Sequence, residues 1–543
     1  MWNRALLAFT LHVACSLAAP AATHHPKPPT MKLDDATVVG VSDGSTRSFL
    51  GIPFAEPPTG DLRFQLPKPL SGYTGTMNAT SFGTQCINAF QLSGLGLFPP
   101  WATQAMKDYF QVFEVPNPST FGEDCLNLNV IVPEHVKPGA KLPVVAYIFF
   151  SGFQFSGSYN VDGRIMVNKS VEIGEPVVWV SMNYRVGPYG FLPGKEIKEA
   201  GVGNLGLQDQ RQALRWIQQY IHLFGGDPER VTILGLSAAG ASTALHLVAN
   251  GGNNENLFHG AWGESGALQH VLQIDDPINQ KLYDNFVNAT NCTGTPDTLQ
   301  CLREVDGDAL ENLVGNSGTD FWALSADGTF VHDLPQLELI HGHVAENVAV
   351  VQGISEDEGT IAALPFVDGV NDTLIANFVR AVYPTVTDDQ IQELLKLYPN
   401  DPALGAPYNT GDRFQLAPEL KRAASITGDI DFDAPHRLIS QVLSDKQPFW
   451  SYYYERNNVP GFGSTHGAEI PNMYGGGDMS DLLIHFANYF SPNGRSGDAP
   501  FWPRYTTAEP TMLVFTGNTT FAYKNDTYRS EQISFLNKLN TES

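Results

Sequence analysis

The stretch VTILGLSAAGAS, residues 231–242, decides the fold. Val231, Thr232, Ile233 and Leu234 form an apolar, β-branched run of the kind that fills a buried strand. Gly235-Leu236-Ser237-Ala238-Ala239-Gly240 reads as a sharp turn, and the small and apolar residues after it read as a helix. A serine on such a strand-to-helix turn is lifted above its sheet, with its Oγ exposed and a helix N-terminus behind it. The stretch departs from a literal G-x-S-x-G, because Ala239 stands at the second glycine. The literal match is Gly40-Val41-Ser42-Asp43-Gly44, within the alternating segment 37–51. That segment reads as a β-hairpin with an Asp-Gly turn and no helix after it. Ser42 therefore has no helix dipole and no oxyanion donors, and is set aside.

Outward from this turn, strands alternate with helices. Residues 142–150 (LPVVAYIFF) and 176–182 (PVVWVSM) are continuous apolar runs, as expected of strands buried on both faces of a parallel sheet. Residues 207–224 carry helical spacing at Leu207, Ala213, Leu214, Ile217 and Ile221, and Gly225-Gly226-Asp227-Pro228 ends that helix. Residues 348–353 read as another strand. Residues 49–64 are Pro-rich and irregular, suited to crossing a sheet edge. Such alternation over most of the chain means an α/β fold with a large, mostly parallel central sheet and helices on both faces. No repeat, low-complexity tract or dividing linker interrupts it.

The 543 residues, 42% of them hydrophobic, are ample for a large core. A net charge of −25 argues against nucleic acid or an anionic membrane surface as partner, since either needs a basic face. Arg4 followed by an apolar run and the small residues Ser16, Ala18 and Ala19 marks residues 1–19 as a signal peptide. No later run is long and apolar enough for a transmembrane helix. The expected organisation is one α/β domain over residues 20–543 of a secreted protein. Of five cysteines, Cys15 leaves with the signal, and Cys86, Cys125, Cys292 and Cys301 remain in an oxidising compartment. Four cysteines allow three pairings; Cys292–Cys301 is the natural short loop, which leaves Cys86–Cys125. No C-x-x-C or ligand-spaced histidine points to a metal, and no cofactor is implied. Seven N-x-S/T sequons stand at Asn78, Asn168, Asn288, Asn291, Asn371, Asn518 and Asn525, in keeping with a secreted glycoprotein. The loop between Cys86 and Cys125 carries Leu92, Leu95, Leu97, Phe98, Trp101 and Tyr109 with few charges; it reads equally as buried core or as a flap over an apolar site.

These residues carry a family resemblance. FLGIPFAEPPTGDLRF (49–64), EDCLNLNV (123–130), VSMNYRVGPYGFL (180–192), GNLGLQDQRQALRWIQQYI (203–221), FGGDPERVTILGLSAAGAS (224–242), ESGA (264–267), DEG (357–359), HGAEI (466–470) and FWPRY (501–505) run in order along nearly all of the mature chain. The chain resembles the type-B carboxylesterase/lipase family, which includes cholinesterases and fungal lipases, and the resemblance implies the α/β-hydrolase fold. It further implies Ser237 as nucleophile, Glu358 as acid and His466 as base, in the chain order Ser, acid, His. It assigns Arg63 with Glu123, and Arg185 with Asp209, to structural ion pairs. The spacing of the four cysteines is also similar to the family's disulfides.

The chemistry agrees. A serine needs an imidazole to take its proton and return it to the leaving alcohol, and a carboxylate to fix the imidazole tautomer. His466 lies in a loop of small residues, Gly463 to Gly467, that lets the ring reach the site. Glu358 adjoins Asp357 and Glu356, and only the D-E-G pattern separates it from them; Asp357 and Glu356 read as solvated or structural. The oxyanion needs N–H donors, expected from Ala238 and from Ser151 and Gly152 after the 142–150 strand. The expected substrate is a small-molecule or lipid ester with an apolar portion, held by Phe149, Phe150, Phe153, Phe155, Leu236 and Trp322. Their competing reading is core packing.

Three departures from the family pattern gather at the site. Phe150-Ser151-Gly152 replaces three glycines, which removes backbone freedom and adds bulk. Leu236 stands where relatives usually carry Glu, so a less stabilised imidazolium and a drier pocket are expected. Ala239 replaces Gly, which is expected to strain the turn. An acyl-transfer or ring-closing reaction would use the same triad with water excluded. A non-catalytic binding protein on this fold would be marked by loss of the Ser, acid or His, and none is lost.

Overall fold

The computed structural model describes residues 27–89, 98–113, 116–137, 139–150, 152–316, 321–366, 368–494 and 500–542. The expected signal peptide, Leu92, Leu95, Leu97 and Ser151 lie outside the described residues.

An 11-stranded sheet organises the chain. From one edge its strands are Thr520–Asn525, Thr511–Thr516, Phe449–Tyr454, Ala349–Ser355, Gly260–Glu264, Gly226–Leu236, Leu142–Ile148, Val178–Met182, Asn127–Pro133, Thr46–Pro53 and Val41–Ser42. The strands from Thr511–Thr516 to Val178–Met182 run parallel, and the pairings at both ends are antiparallel. The central strands are buried along almost their whole length, as continuous apolar runs between helical layers must be. Helices Gly163–Glu172, Ala238–Val248, Ala434–Ser444 and Asp478–Tyr489 pack on this sheet. Trp179, Trp262, Trp450 and Trp502 are wholly buried in the resulting core.

Several boundaries move relative to the sequence reading. The strand before Ser237 begins at Gly226, and the strand expected over 142–150 ends at Ile148, so Phe149 and Phe150 already belong to the loop. The helix expected over 207–224 is an α-helix over Leu205–Tyr220 that tightens into a 3-10 turn at Ile221–Phe224. The hairpin expected over 37–51 is split. Val41–Ser42 pairs with Thr46–Pro53 in the large sheet, while Ala36–Val39 pairs with Thr30–Leu33 and Thr76–Asn78 in a separate three-stranded sheet. Asp43 closes the hairpin turn by accepting the N–H groups of Ser45 and Thr46. Ser42 donates to Glu134 at 2.6 Å, and among the described residues it has no hydrogen bond to a histidine.

The disulfides are Cys86–Cys125 and Cys292–Cys301. Arg63 binds Glu123 through two N–H···O bonds of 2.5 and 2.7 Å and also donates to the carbonyls of Leu302, Arg303 and Val305. It thereby joins the neighbourhoods of both disulfides. All seven sequon asparagines are exposed. Among the described residues no helix is long and apolar enough to cross a membrane.

Candidate active site

Ser237 sits where the Gly226–Leu236 strand turns into the Ala238–Val248 helix, with φ 60° and ψ −125°. This backbone region is costly for a residue with a Cβ and persists only where the surroundings enforce it. Here the Ser237 N–H donates to the Glu264 carbonyl, 2.8 Å, and its carbonyl accepts from the Ala241 N–H, 2.8 Å. Two glycines admit the turn. A Cβ on Gly235 would lie 2.5 Å from the Ala239 methyl, and one on Gly266 would lie 2.2 Å from the Ser237 carbonyl oxygen. Ala239 is wholly buried in the first turn of the helix and is not among the residues with positive φ. The strain expected of Ala239 is thus carried by Ser237, and the extra methyl fills the space over Gly235.

The histidine arrives from the loop after Phe449–Tyr454 and the acid from the end of Ala349–Ser355. His466 Nε2 lies 2.8 Å from Ser237 Oγ, and its Nδ1 lies 2.7 Å from Glu358 Oε2. The other Glu358 oxygen accepts the Ser355 N–H at 2.7 Å. Glu358 is wholly enclosed, His466 is 9% exposed, and Ser237 is half-buried. Burial alone would pull the His466 pKa down. The Glu358 carboxylate, followed by those of Glu469 and Asp431, outweighs it and holds the pKa above the ordinary histidine value. The loss of negative charge at Leu236 therefore does not leave the imidazolium without support. Leu236 itself is wholly buried, and its register partner on the adjacent strand is Glu264, also wholly buried.

Asp357 is structural. Its Oδ1 accepts the Tyr408 N–H at 2.7 Å and its Oδ2 the Ser464 N–H at 3.0 Å, two residues before His466. Gly463 is needed beside it: φ is +70°, and a Cβ would lie 2.0 Å from Asp357 Oδ2. Burial, with the neighbouring Glu356 charge, pushes the Asp357 pKa up to about 8. Asp357→Ala is expected to lower unfolding stability by about 2–4 kcal/mol, the cost of two backbone N–H groups left without their acceptor. Urea unfolding of wild type and variant checks this.

The Ala238 N–H heads the helix that follows Ser237, and Gly152, in the loop after the Leu142–Ile148 strand, has φ +56°. Gln154 holds this loop. Wholly buried, it donates from Nε2 to the carbonyls of Gly152, 3.0 Å, and Trp322, and accepts the Trp322 N–H at 3.2 Å. No sequence signal marks Gln154, because its partner lies 168 residues away. Of the expected pocket residues, Phe149, Leu236 and Trp322 have no exposed surface. Phe149 stacks on Tyr184 at 4.2 Å and Trp322 packs edge-on against Phe286 at 5.6 Å, so both belong to the core. Phe150 and Phe153 are nearly buried and Phe155 half-buried.

The segment 98–113 of the disulfide loop covers the histidine. Tyr109 donates from its hydroxyl to the His466 carbonyl at 2.7 Å, and Phe113 packs edge-on against Phe150 at 6.0 Å. Phe110 and Phe462 add to the same aromatic cluster.

The sequence model described as the carboxylesterase family matches residues 27–536. Lipase 4 of Diutina rugosa is 34% identical over 92% of this chain and 92% of its own. A secreted triacylglycerol lipase of Gibberella zeae is 33% identical over 96% of this chain and 92% of its own. The crystal structure of Aspergillus niger EstA superposes with a TM-score of 0.79 at 27% identity, covering 94% of this chain and 98% of that one. With this match along the chain, and with an α/β-hydrolase sheet beneath the Ser237 turn, the protein belongs to the carboxylesterase family and so to the carboxylic ester hydrolases.

Proposed function

We propose that the protein is a secreted serine hydrolase of carboxylic esters with an apolar portion, working through an acyl-enzyme on Ser237. The observation that carries this reading is the unbroken hydrogen-bond chain from Ser237 Oγ through His466 to the enclosed Glu358 carboxylate. Ser237 Oγ bonds to the acyl carbon as His466 Nε2 takes its proton, and the carbonyl π electrons move onto oxygen. The N–H groups of Ala238, Gly152 and Ser151 are the proposed donors to that oxyanion. Collapse expels the alkoxide, which takes the proton from His466. Water then attacks the acyl-enzyme with His466 as base, and the acid product leaves. Glu358 fixes the tautomer with Nδ1–H toward itself and faces the imidazolium as it forms.

The aromatic cluster of Phe150, Phe113 and Tyr109 beside His466 supports an apolar acyl or alcohol group. Similarity to proteins named as lipases supports a lipid ester as one such substrate, and the name of the Gibberella zeae relative supports secretion. Export also fits the N-terminal apolar run, the two disulfides and the exposed sequons. One sheet and its core, spanning Val41 to Asn525, support a single catalytic domain. A panel of p-nitrophenyl and glycerol esters of graded acyl length, run with and without an acceptor alcohol, tests the reading. Turnover that rises from acetyl to longer acyl groups and yields free acid is expected. Absence of free acid, or product only as the transferred ester, would contradict it.

A further inference from the structure

One acidic residue beside the site is unused by the triad. The chain passes over His466 in a π-helical turn, Asp429–Asp433, inserted between the α-helices Leu420–Gly428 and Ala434–Ser444. Such inserted turns are rare and gather at functional sites. Here the turn brings the Phe432 ring to 4.7 Å from the His466 ring. The Asp431 carbonyl accepts from Gln269 Nε2 at 3.2 Å, on the loop that follows the Gly260–Glu264 strand and closes against Ser237. Asp431 is thus set between the histidine and the loop behind the nucleophile.

The three aspartates of the turn differ in what they meet. Asp429 and Asp433, four residues apart and on one side, both bind Arg529, at 2.6 and 2.8 Å, and accept the hydroxyls of Tyr398 and Tyr528. Asp431, roughly half a turn away, points to the other side. Among the described residues its half-buried carboxyl has no hydrogen-bond or ion-pair partner. A half-buried carboxyl with no donor is costly to ionise. Burial accordingly pushes its pKa up to about 7, and the opposing influence is His466.

We infer that Asp431 is a positioning residue for ester hydrolysis, a carboxylate additional to Glu358 and Glu469 that stabilises the His466 imidazolium formed when Ser237 gives up its proton. It accepts no proton in the step. The proton passes from Ser237 Oγ to His466 Nε2, and Asp431 lowers the cost of the positive charge that results. The charged and titratable groups facing His466 are Glu358, Glu469 and Asp431; Asp431 is faced by His466 and by Tyr383, whose hydroxyl is bonded to Asn540. The inference rests on the proposed triad.

The test is the pH dependence of kcat and kcat/KM for p-nitrophenyl butyrate with full-length wild type, Asp431→Asn, Asp431→Ser and Asp431→Glu, alongside fluorophosphonate labelling of Ser237. Without the Asp431 charge the His466 pKa falls. In the Asn and Ser variants the acid limb of kcat/KM should therefore move to lower pH by about 0.5–1 unit. The kcat at the optimum should drop about three- to ten-fold with KM within about twofold, because the interaction strengthens only as charge develops. Asp431→Glu should restore both. Melting temperature should hold or rise in Asp431→Asn, since a half-buried carboxylate without a hydrogen-bond donor is removed. An unmoved acid limb in both neutral variants, or a raised KM with unchanged kcat, would overturn the inference and leave Asp431 a packing or substrate-contact residue. Failure of wild type to label at Ser237 would overturn the triad itself, which separates the two failures.

Discussion

Ser237→Ala is expected to lower kcat for ester hydrolysis by roughly 10⁴–10⁶-fold, and adding His466→Ala to that variant should cost almost nothing more. In the proposed reaction the two residues act as one unit. Ser237 Oγ is a competent nucleophile only while His466 Nε2, 2.8 Å away, accepts its proton. Once the hydroxyl is gone the imidazole has no proton to take, so its removal finds nothing left to lose. Glu358→Gln should be milder, roughly 10³–10⁴-fold, because the amide spoils the tautomer and withdraws the charge beside Nδ1 but leaves Ser237 and the oxyanion donors in place. Residual activity over water should persist in all three, carried by the Ala238 and Gly152 N–H groups. Initial rates on p-nitrophenyl butyrate for Ser237→Ala, His466→Ala, Glu358→Gln, the Ser237/His466 double variant and wild type check these values. Equal, multiplying losses for Ser237 and His466 would mean that they do not share a step.

The largest expected effect on stability is at Arg185. Its guanidinium meets Asp209 in two parallel bonds of 2.7 Å, and its own N–H adds a third to the same carboxylate at 3.0 Å. Both side chains are buried. Arg185→Ala leaves Asp209 enclosed with only backbone support, and is expected to destabilise the fold by about 3–5 kcal/mol. The loss should grow with pH. Burial already pushes the Asp209 pKa up with Arg185 in place, and without Arg185 it rises further. The folded variant then holds a proton that the unfolded chain releases above its ordinary value near 4, so stability falls as pH rises from there until the folded carboxyl ionises. Urea midpoints at pH 5 and pH 8 read this directly. The ion pair also anchors the turn after Val178–Met182, where the Gly187 N–H donates to the Phe153 carbonyl at 2.7 Å, so activity should fall with stability.

Much of this arrangement is legible in the sequence, for physical reasons. A strand buried on both faces has to be apolar throughout, so residues 231–234 and 142–148 declare themselves. The Ser237 turn can form only where glycines admit it, and Gly235, Gly240 and Gly266 stand at the close approaches. Arg63–Glu123 and Arg185–Asp209 follow from family motifs, and the structure forms both pairs. What the sequence hides is tertiary. Nothing in DIDFD, residues 429–433, announces a π turn or that Asp431 alone faces away from Arg529. Gln154 and Tyr109 act on groups 168 and 357 residues distant along the chain. Ala36–Val39 alternates like the hairpin beside it, but its partner is Thr30–Leu33, because Val41 begins a different ladder. Leu236 is an apolar residue next to a nucleophile, which reads as pocket lining until its burial between strands is known.

The account stands or falls on one nucleophile. Folded, glycosylated wild-type protein treated with a fluorophosphonate probe, digested and mapped by mass spectrometry, should carry the label on Ser237 alone, with activity lost in proportion to labelling, and His466→Ala should label far more slowly. Label on any other serine, or full retention of esterase activity after Ser237 is labelled, would contradict it.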